Sequence, residues 1–239
     1  MLSLQIFPAL TEKGVENMAT DWWLLKKAVF SEMPVFRHYQ WKVSEISFGY
    51  GQNWEWVEDQ TQESIERLIR RPTGGGIVRH GKDWTYCLVL PRRHPSFSMP
   101  SLDLYEKIHQ AIADALADQS IETFLQPCPA KKKTGIPGDC FQEPVGKDLM
   151  TGKSEKKIAG AAMKRTKSAT LFQGTLDLGF IEKANFDPPS FGESFTNQLA
   201  RLFKTEKEEV KWPEHFRKER ESFCLEFESL GWRKNRERN

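Results

Sequence analysis

The strand-like runs of this chain come in close pairs rather than at intervals set by a crossover helix. VFRHYQW (35–41) and EISFGYG (45–51) read as two strands joined by a short turn. KKIAGAAMKR (156–165) and ATLFQGTLDL (169–178) read as a second pair. Strands joined by tight turns run antiparallel, whereas parallel neighbours need a crossover of roughly a dozen residues or more. Helical stretches lie between the pairs without regular βαβ spacing. The pattern excludes Rossmann-type winding and predicts an α+β fold: a mixed, largely antiparallel β-sheet flanked by helices.

Other elements follow from spacing and breakers. MLSLQIFPAL reads as a first strand. Met18, Trp22, Leu25 and Val29 recur at helical spacing, which predicts an amphipathic helix over Val15–Phe30 stopped by Pro34. Asp59 and Gln62 match a capping box opening a helix through about Leu68. Strand signals follow at 76–79 and 85–90. Pro100 and Ser101 open a helix with Leu102, Tyr105, Ile108, Ile112 and Leu116 on one face. IETFLQ reads as a strand, and the Pro-, Gly- and Lys-rich segment 127–138 as an exposed mobile loop. Helices near 194–203 and 213–229 close the same domain, and the tail RKNRERN reads as a solvated end. The whole chain, 1–239, reads as one domain.

Charge narrows the partners. Lys plus Arg number 35 against 33 Asp plus Glu, a net charge of +2, so bulk electrostatics do not favour nucleic acid. No apolar run approaches the ~18 residues of a membrane span. The N-terminal stretch lacks a basic start and a small-residue cleavage site. The expectation is a cytoplasmic protein with neither nucleic-acid nor membrane partners. Cys87, Cys128, Cys140 and Cys224 fit no zinc spacing. No metal site is expected, and Cys87, Cys128 and Cys224 read as small core residues.

Two stretches carry candidate chemistry. The first is RRPTGGGIVRH (70–80). Adjacent glycines are costly in backbone entropy. They form either a flexible turn or a loop whose backbone approaches something negative or carbonyl-like. Neither G-x-x-x-x-G-K-[ST] nor G-x-G-x-x-G is present. The second stretch is 138–178. There Cys140 and Phe141 follow a Gly-Asp pair, and Lys157 precedes Gly160, Ala161 and Ala162, small residues that leave room for a ligand against the backbone. Read one at a time, Lys157 is an edge-protecting strand lysine and Cys140 a half-buried small hydrophobe.

Read together, five blocks in order resemble the biotin/lipoyl protein ligase superfamily in its lipoate branch, over about residues 18–178. They are NMATDWWLL, VFRHYQWKVSEISFGYGQ, RRPTGGGIVRHGKDWTYCLVLP, the pair CFQEPVGKDLM and KKIAGAAMKR, and LFQGTL. The resemblance implies a class II aminoacyl-tRNA synthetase-like fold. It implies that Arg70, Arg71, Thr73, Gly74, Gly75 and Gly76 pack against an acyl chain and its activated carbonyl or adenylate phosphate. Lys157 would reach the same group, and Gly160, Ala161, Gln173 and Gly174 would line the site. His80 would serve as a base or a loop partner.

The family divides between two reactions. Ligases use ATP, with Mg, to make a lipoyl-adenylate. Cysteine-dependent octanoyltransferases need no cofactor: they take octanoyl from acyl carrier protein as an enzyme thioester. Both deliver to a lysine of a lipoyl carrier domain, in a glycine-cleavage carrier protein or a 2-oxoacid dehydrogenase subunit. The Cys140–Phe141 pair favours the transferase, with Cys140 as nucleophile, and a nearby Lys157 would favour its thiolate. The lysines 131–133 are candidates for meeting an acidic carrier. Two departures stand out: Gln173 replaces the usual His of Leu-x-His-Gly, and Met163 stands where Gln is common. They motivate a third reading, a non-catalytic module that binds lipoyl domains or acyl chains.

Overall fold

The computed structural model describes residues 2–128, 138–139, 141–152, 156–181 and 186–238. The elements run β1 (Ser3–Glu12), α1 (Gly14–Lys27), β2 (Val35–Trp41), β3 (Ile46–Phe48), α2 (Trp54–Thr61), β4 (Leu68–Arg70), β5 (Val78–Arg79) and β6 (Asp83–Pro91). They continue with α3 (Ser101–Ala117), β7 (Thr123–Leu125), β8 (Leu149–Thr151), β9 (Lys157–Arg165), β10 (Ala169–Asp177), α4 (Pro188–Phe203), β11 (Glu206–Glu209) and α5 (Phe216–Glu228). An eight-stranded sheet has the order β11-β1-β2-β6-β10-β9-β8-β7. From β2 to β7 neighbours are antiparallel, while β1 lies parallel to both β2 and β11. The fold is α+β and the sheet mixed, as the paired runs predict.

Helices cover both faces of this sheet. On β6, Trp84, Tyr86, Leu88 and Leu90 pack toward Leu104, Ile108 and Ile112 of α3 and Phe191, Phe195 and Leu199 of α4. The alternate residues Cys87 and Val89 face Met18, Trp22 and Leu25 of α1 and Phe227 of α5. A strand buried on both faces reads as a near-continuous apolar run, which is why TYCLVL shows no alternation. A three-stranded sheet of order β4-β3-β5 carries its own core of Phe48, Val57, Ile65, Leu68 and Ile77.

Several local expectations are corrected. Strands β2 and β3 do not pair with each other. Both edges of β2 are taken by β1 and β6, and β3 turns off the large sheet to join β4 and β5. The helix expected from Asp59 instead ends near there. Asn53 caps α2, its Oδ1 accepting the Trp56 N–H at 2.8 Å, and Gln62 closes it in the left-handed region with φ 58°. Val29 lies beyond α1 and is exposed, and Leu102 is exposed at the start of α3. α4 begins at Pro188 behind an Asp187 cap rather than near Ser194. Cys87 is buried, but Cys128 is exposed and Cys224 only half-buried. Residues 129–137 of the expected mobile loop lie outside the described residues. Among the described residues no helix is long and apolar enough to cross a membrane.

The largest correction is the tail. Residues Gly231–Asn235 form a π-helical turn with Trp232 and Arg233 buried. The Trp232 indole N–H donates to Arg70 O at 2.9 Å. In return the Arg70 guanidinium donates to Arg233 O at 2.6 Å and Lys234 O at 3.2 Å. The charged side chains suggest a solvated end, but the backbone carbonyls and one tryptophan do the docking. Trp232→Ala is expected to cost about 3–5 kcal/mol in urea-induced unfolding, whereas a loss under about 1 kcal/mol would show the tail to be peripheral.

Candidate active site

The glycine segment leaves β4 and folds back toward β5 around an arginine. Arg71 donates to Gly74 O at 3.0 Å, Gly76 O at 2.7 Å and Ser47 Oγ at 2.7 Å. One guanidinium therefore holds two loop carbonyls and ties the loop to β3. Gly75 sits at φ +88°, a conformation that favours glycine. Its carbonyl oxygen lies so close over Gly49 that a Cβ at position 49 would collide with it. These glycines serve close backbone packing, not a loose turn.

Arg70, expected to offer charge to a ligand, is instead engaged by carbonyls. Besides the two tail carbonyls it donates to Tyr50 O at 2.7 Å and Gln52 O at 2.9 Å. Burial first, and then the nearby Arg236, lower its pKa to about 10. The charge facing the cleft comes from Arg71.

That cleft lies between the glycine segment, α1 and the β9–β10 hairpin. Its walls include Met18, Trp41, Arg71, His80 and Gln173, with Gly160, Ala161 and Gly174 among the strand residues. The site residues Arg71, His80, Gly160, Ala161, Gln173 and Gly174 are thus brought to one cleft. The space between these walls is narrow, about 30 Å³, and partly open to the surface.

His80 stacks on Trp41 with ring centroids 3.7 Å apart. Its Nδ1 lies 2.6 Å from Asp83 Oδ2 and its Nε2 2.6 Å from Ser47 Oγ. Burial lowers the His80 pKa, so the neutral ring donates from Nδ1 to Asp83 and accepts from Ser47. Burial alone would raise the Asp83 pKa, but hydrogen bonds from His80, Thr175 and the Gly81 N–H bring it down to about 2. The connectivity is that of a Ser-His-Asp triad. Ser47, however, is fully buried and its Oγ already accepts from Arg71. The chain Asp83–His80–Ser47–Arg71 positions the loop rather than presenting a nucleophile.

Gln173 ties the other side. Thr73 Oγ1 donates to Gln173 Oε1 at 2.7 Å, and Gln173 Nε2 donates to Asp21 Oδ2 at 2.6 Å. Asp21 in turn pairs with Arg37 at 2.7 Å, both side chains at 0% exposure. An amide both donates and accepts without titrating, so the departure from His keeps a two-sided bridge between loop and α1.

Lys157 opens β9. Its Nζ lies 2.8 Å from Asp148 Oδ2, and both side chains are buried. Asp148 also accepts from Tyr105 Oη at 2.5 Å and from the Val145 N–H at 2.7 Å. A Cβ on Gly160 would lie 2.6 Å from Lys157 Nζ, so glycine there makes the space the ammonium occupies. Cys140 lies outside the described residues. On either side of it, Asp139 bridges to Ile77 and the Phe141 ring centroid lies 5.8 Å from Lys157 Nζ.

Asp148, Tyr105, Ser47 and Asp21 escape sequence reading. Each is polar in an unremarkable local context, and only the fold brings it to its partner. Asp83 carries a local signal, since it stands within the His–Asp–Thr run of the glycine block.

The lipoyl protein ligase A/B catalytic domain matches residues 13–220. This chain belongs to that family. Within the lipoyl ligase A/B family, octanoyltransferase LipM of Staphylococcus epidermidis is 32% identical over 168 residues, covering 67% of this chain and 60% of that protein. Octanoyltransferase LipM of Bacillus subtilis is 28% identical over 184 residues, covering 72% and 64%. The chain thus spans 60% and 64% of the length of these relatives. Among solved structures, a bi-partite lipoate protein ligase from Thermoplasma acidophilum, studied with its E2 lipoyl domain, shares the fold at TM-score 0.72 and 17% identity, covering 100% of this chain and 98% of that one. Lipoate-protein ligase A bound with ATP gives TM-score 0.72 at 17% identity, covering 98% of each chain.

Gly160→Ala tests the arrangement around Lys157. Displacing the ammonium leaves the buried Asp148 carboxylate without its charge partner, so stability in urea should fall by up to about 3–5 kcal/mol. Acyl transfer should fall about 100-fold as the ammonium leaves Asp148. Full activity in a normally folded variant would mean that the placement of Lys157 is immaterial.

Proposed function

We propose that this protein transfers an octanoyl group from acyl carrier protein to a lysine of a lipoyl carrier domain, through a thioester on Cys140. The observation that carries the reading is the buried Lys157–Asp148 pair beside Phe141, the residue that follows Cys140, with the ammonium folded over Gly160 of the cleft wall. The octanoyltransferase relatives support the same chemistry.

In the first step the Cys140 thiolate attacks the donor thioester. The Lys157 ammonium faces the negative charge that develops on the carbonyl oxygen. The carbon–sulfur bond to the donor breaks and the donor thiol departs with a proton. In the second step the neutral amine of the carrier lysine attacks the acyl-enzyme, an amide forms, a proton is lost and the Cys140 thiol is regenerated. Splitting the transfer in two lets a good nucleophile meet each carbonyl. Asp148 holds the ammonium in place, and the Arg71 and Gln173 contacts hold the loop against the cleft. The thioester already supplies the activation that an adenylate would, so the reaction consumes no ATP.

ATP-dependent lipoate ligation is the competing reading, because ligases share this fold. Octanoyl-acyl carrier protein and a lipoyl domain, mixed with the enzyme without ATP, should yield octanoylated lipoyl domain. Cys140→Ser should lower the rate at least ~1,000-fold and Lys157→Gln about 100–1,000-fold. Modification that appears only with ATP and free lipoate, and survives Cys140→Ser, would make the protein a ligase.

A further inference from the structure

Cations crowd the rim of the site where the tail docks. Lys164 Nζ lies 4.4 Å from the centroid of the Tyr50 ring, and the Arg236 guanidinium carbon 5.6 Å from the same centroid. Neither Lys164 nor Arg236 has a carboxylate within ion-pair distance among the described residues, whereas the neighbouring Arg238 is paired with Glu226 at 3.4 Å. The cations act on one another: burial and then Arg238 lower the Lys164 pKa, and burial and then Arg236 lower that of Arg70. A like-charge cluster of this kind is unfavourable until an anion joins it.

Its position is imposed by the fold. Arg236 adopts φ 64°, a left-handed conformation uncommon for residues with a side chain, and its N–H bonds to Trp232 O at 3.0 Å. The Tyr50 N–H donates to Thr73 O in the glycine segment at 2.8 Å, and Lys164 follows the cleft-lining part of β9. The cluster therefore stands beside the glycine segment, two residues along β9 from the cleft-lining Ala162.

Distance identifies the anion. The Lys157 ammonium folds back over Gly160, four residues before Lys164 on β9, so about 13 Å of strand separates the two groups at ~3.3 Å per residue. A single acyl carbonyl at Lys157 cannot also reach Lys164. The anion at the rim must be a second group, borne at the far end of an extended donor.

We propose that Lys164 and Arg236, both beside the Tyr50 ring, form a phosphate site that receives the phosphodiester of the donor's phosphopantetheine arm. This rests on the transferase reading, in which the acyl group arrives as a thioester on that arm. A nucleotide phosphate carries the same chemistry, and the test separates the two sources.

Isothermal titration of the wild-type protein with 4′-phosphopantetheine, pantetheine and AMP needs no turnover. Phosphopantetheine should bind at least tenfold tighter than pantetheine. The double variant Lys164→Gln/Arg236→Gln should bind both arms equally, and each single variant should lose part of the preference. Wild-type protein that binds both arms equally would overturn the proposal. So would a folded double variant that keeps the preference, or AMP that binds more tightly than phosphopantetheine and depends on the same two residues. If the preference stands but ATP-free acyl transfer fails, the transferase reading falls and the phosphate site does not. If transfer proceeds without the preference, the phosphate site alone falls.

Discussion

A buried ammonium is tolerable only beside a carboxylate that is itself well bonded, and the Lys157–Asp148 contact meets that condition. Asp148 is fully buried and draws hydrogen bonds from Tyr105 of α3 and from the backbone at Val145. Gly160 leaves the space above the strand into which the lysine folds. The pair thus joins α3, the approach to β8 and the start of β9. Removing either Lys157 or Asp148 would leave a charge uncompensated in the interior.

The glycine segment is held from several sides by the same kind of economy. Arg71 gathers its carbonyls from within. Arg70 fastens its first residue to the tail, and Gln173 links Thr73 to the buried Asp21–Arg37 pair on α1 and β2. The result is a preorganised wall in which little has to move at the moment of reaction. It also leaves a narrow cleft partly open to the surface.

The pair β9 and β10 and the helices α1 and α3 are visible in the linear chain because each depends on local periodicity and turn chemistry, whereas the pairing expected of β2 with β3 is not made. The gathering of Arg71, His80 and Gln173 is legible only through the family resemblance of the ordered blocks. What stayed hidden depends on contacts distant in sequence. The tail gives no apolar period, yet Trp232 reaches Arg70. Arg70 and Arg71 are adjacent and look equivalent, but one side chain turns to the tail and the other to the loop. Asp148 is one acidic residue among many until α3 delivers Tyr105 to it. Asp59 and Gln62 look in sequence like a capping box that opens a helix, yet Asp59 lies in the last turns of α2 and Gln62 closes it in a left-handed turn.

The central claim is that this scaffold carries an acyl group on its own cysteine. Intact-protein mass spectrometry after mixing the enzyme alone with octanoyl-acyl carrier protein, without ATP or acceptor, tests it directly. The account predicts a gain of one octanoyl group that hydroxylamine removes and Cys140→Ala abolishes. An unmodified wild-type enzyme that nonetheless passes octanoyl to the carrier, or an adduct that persists in Cys140→Ala, would contradict it.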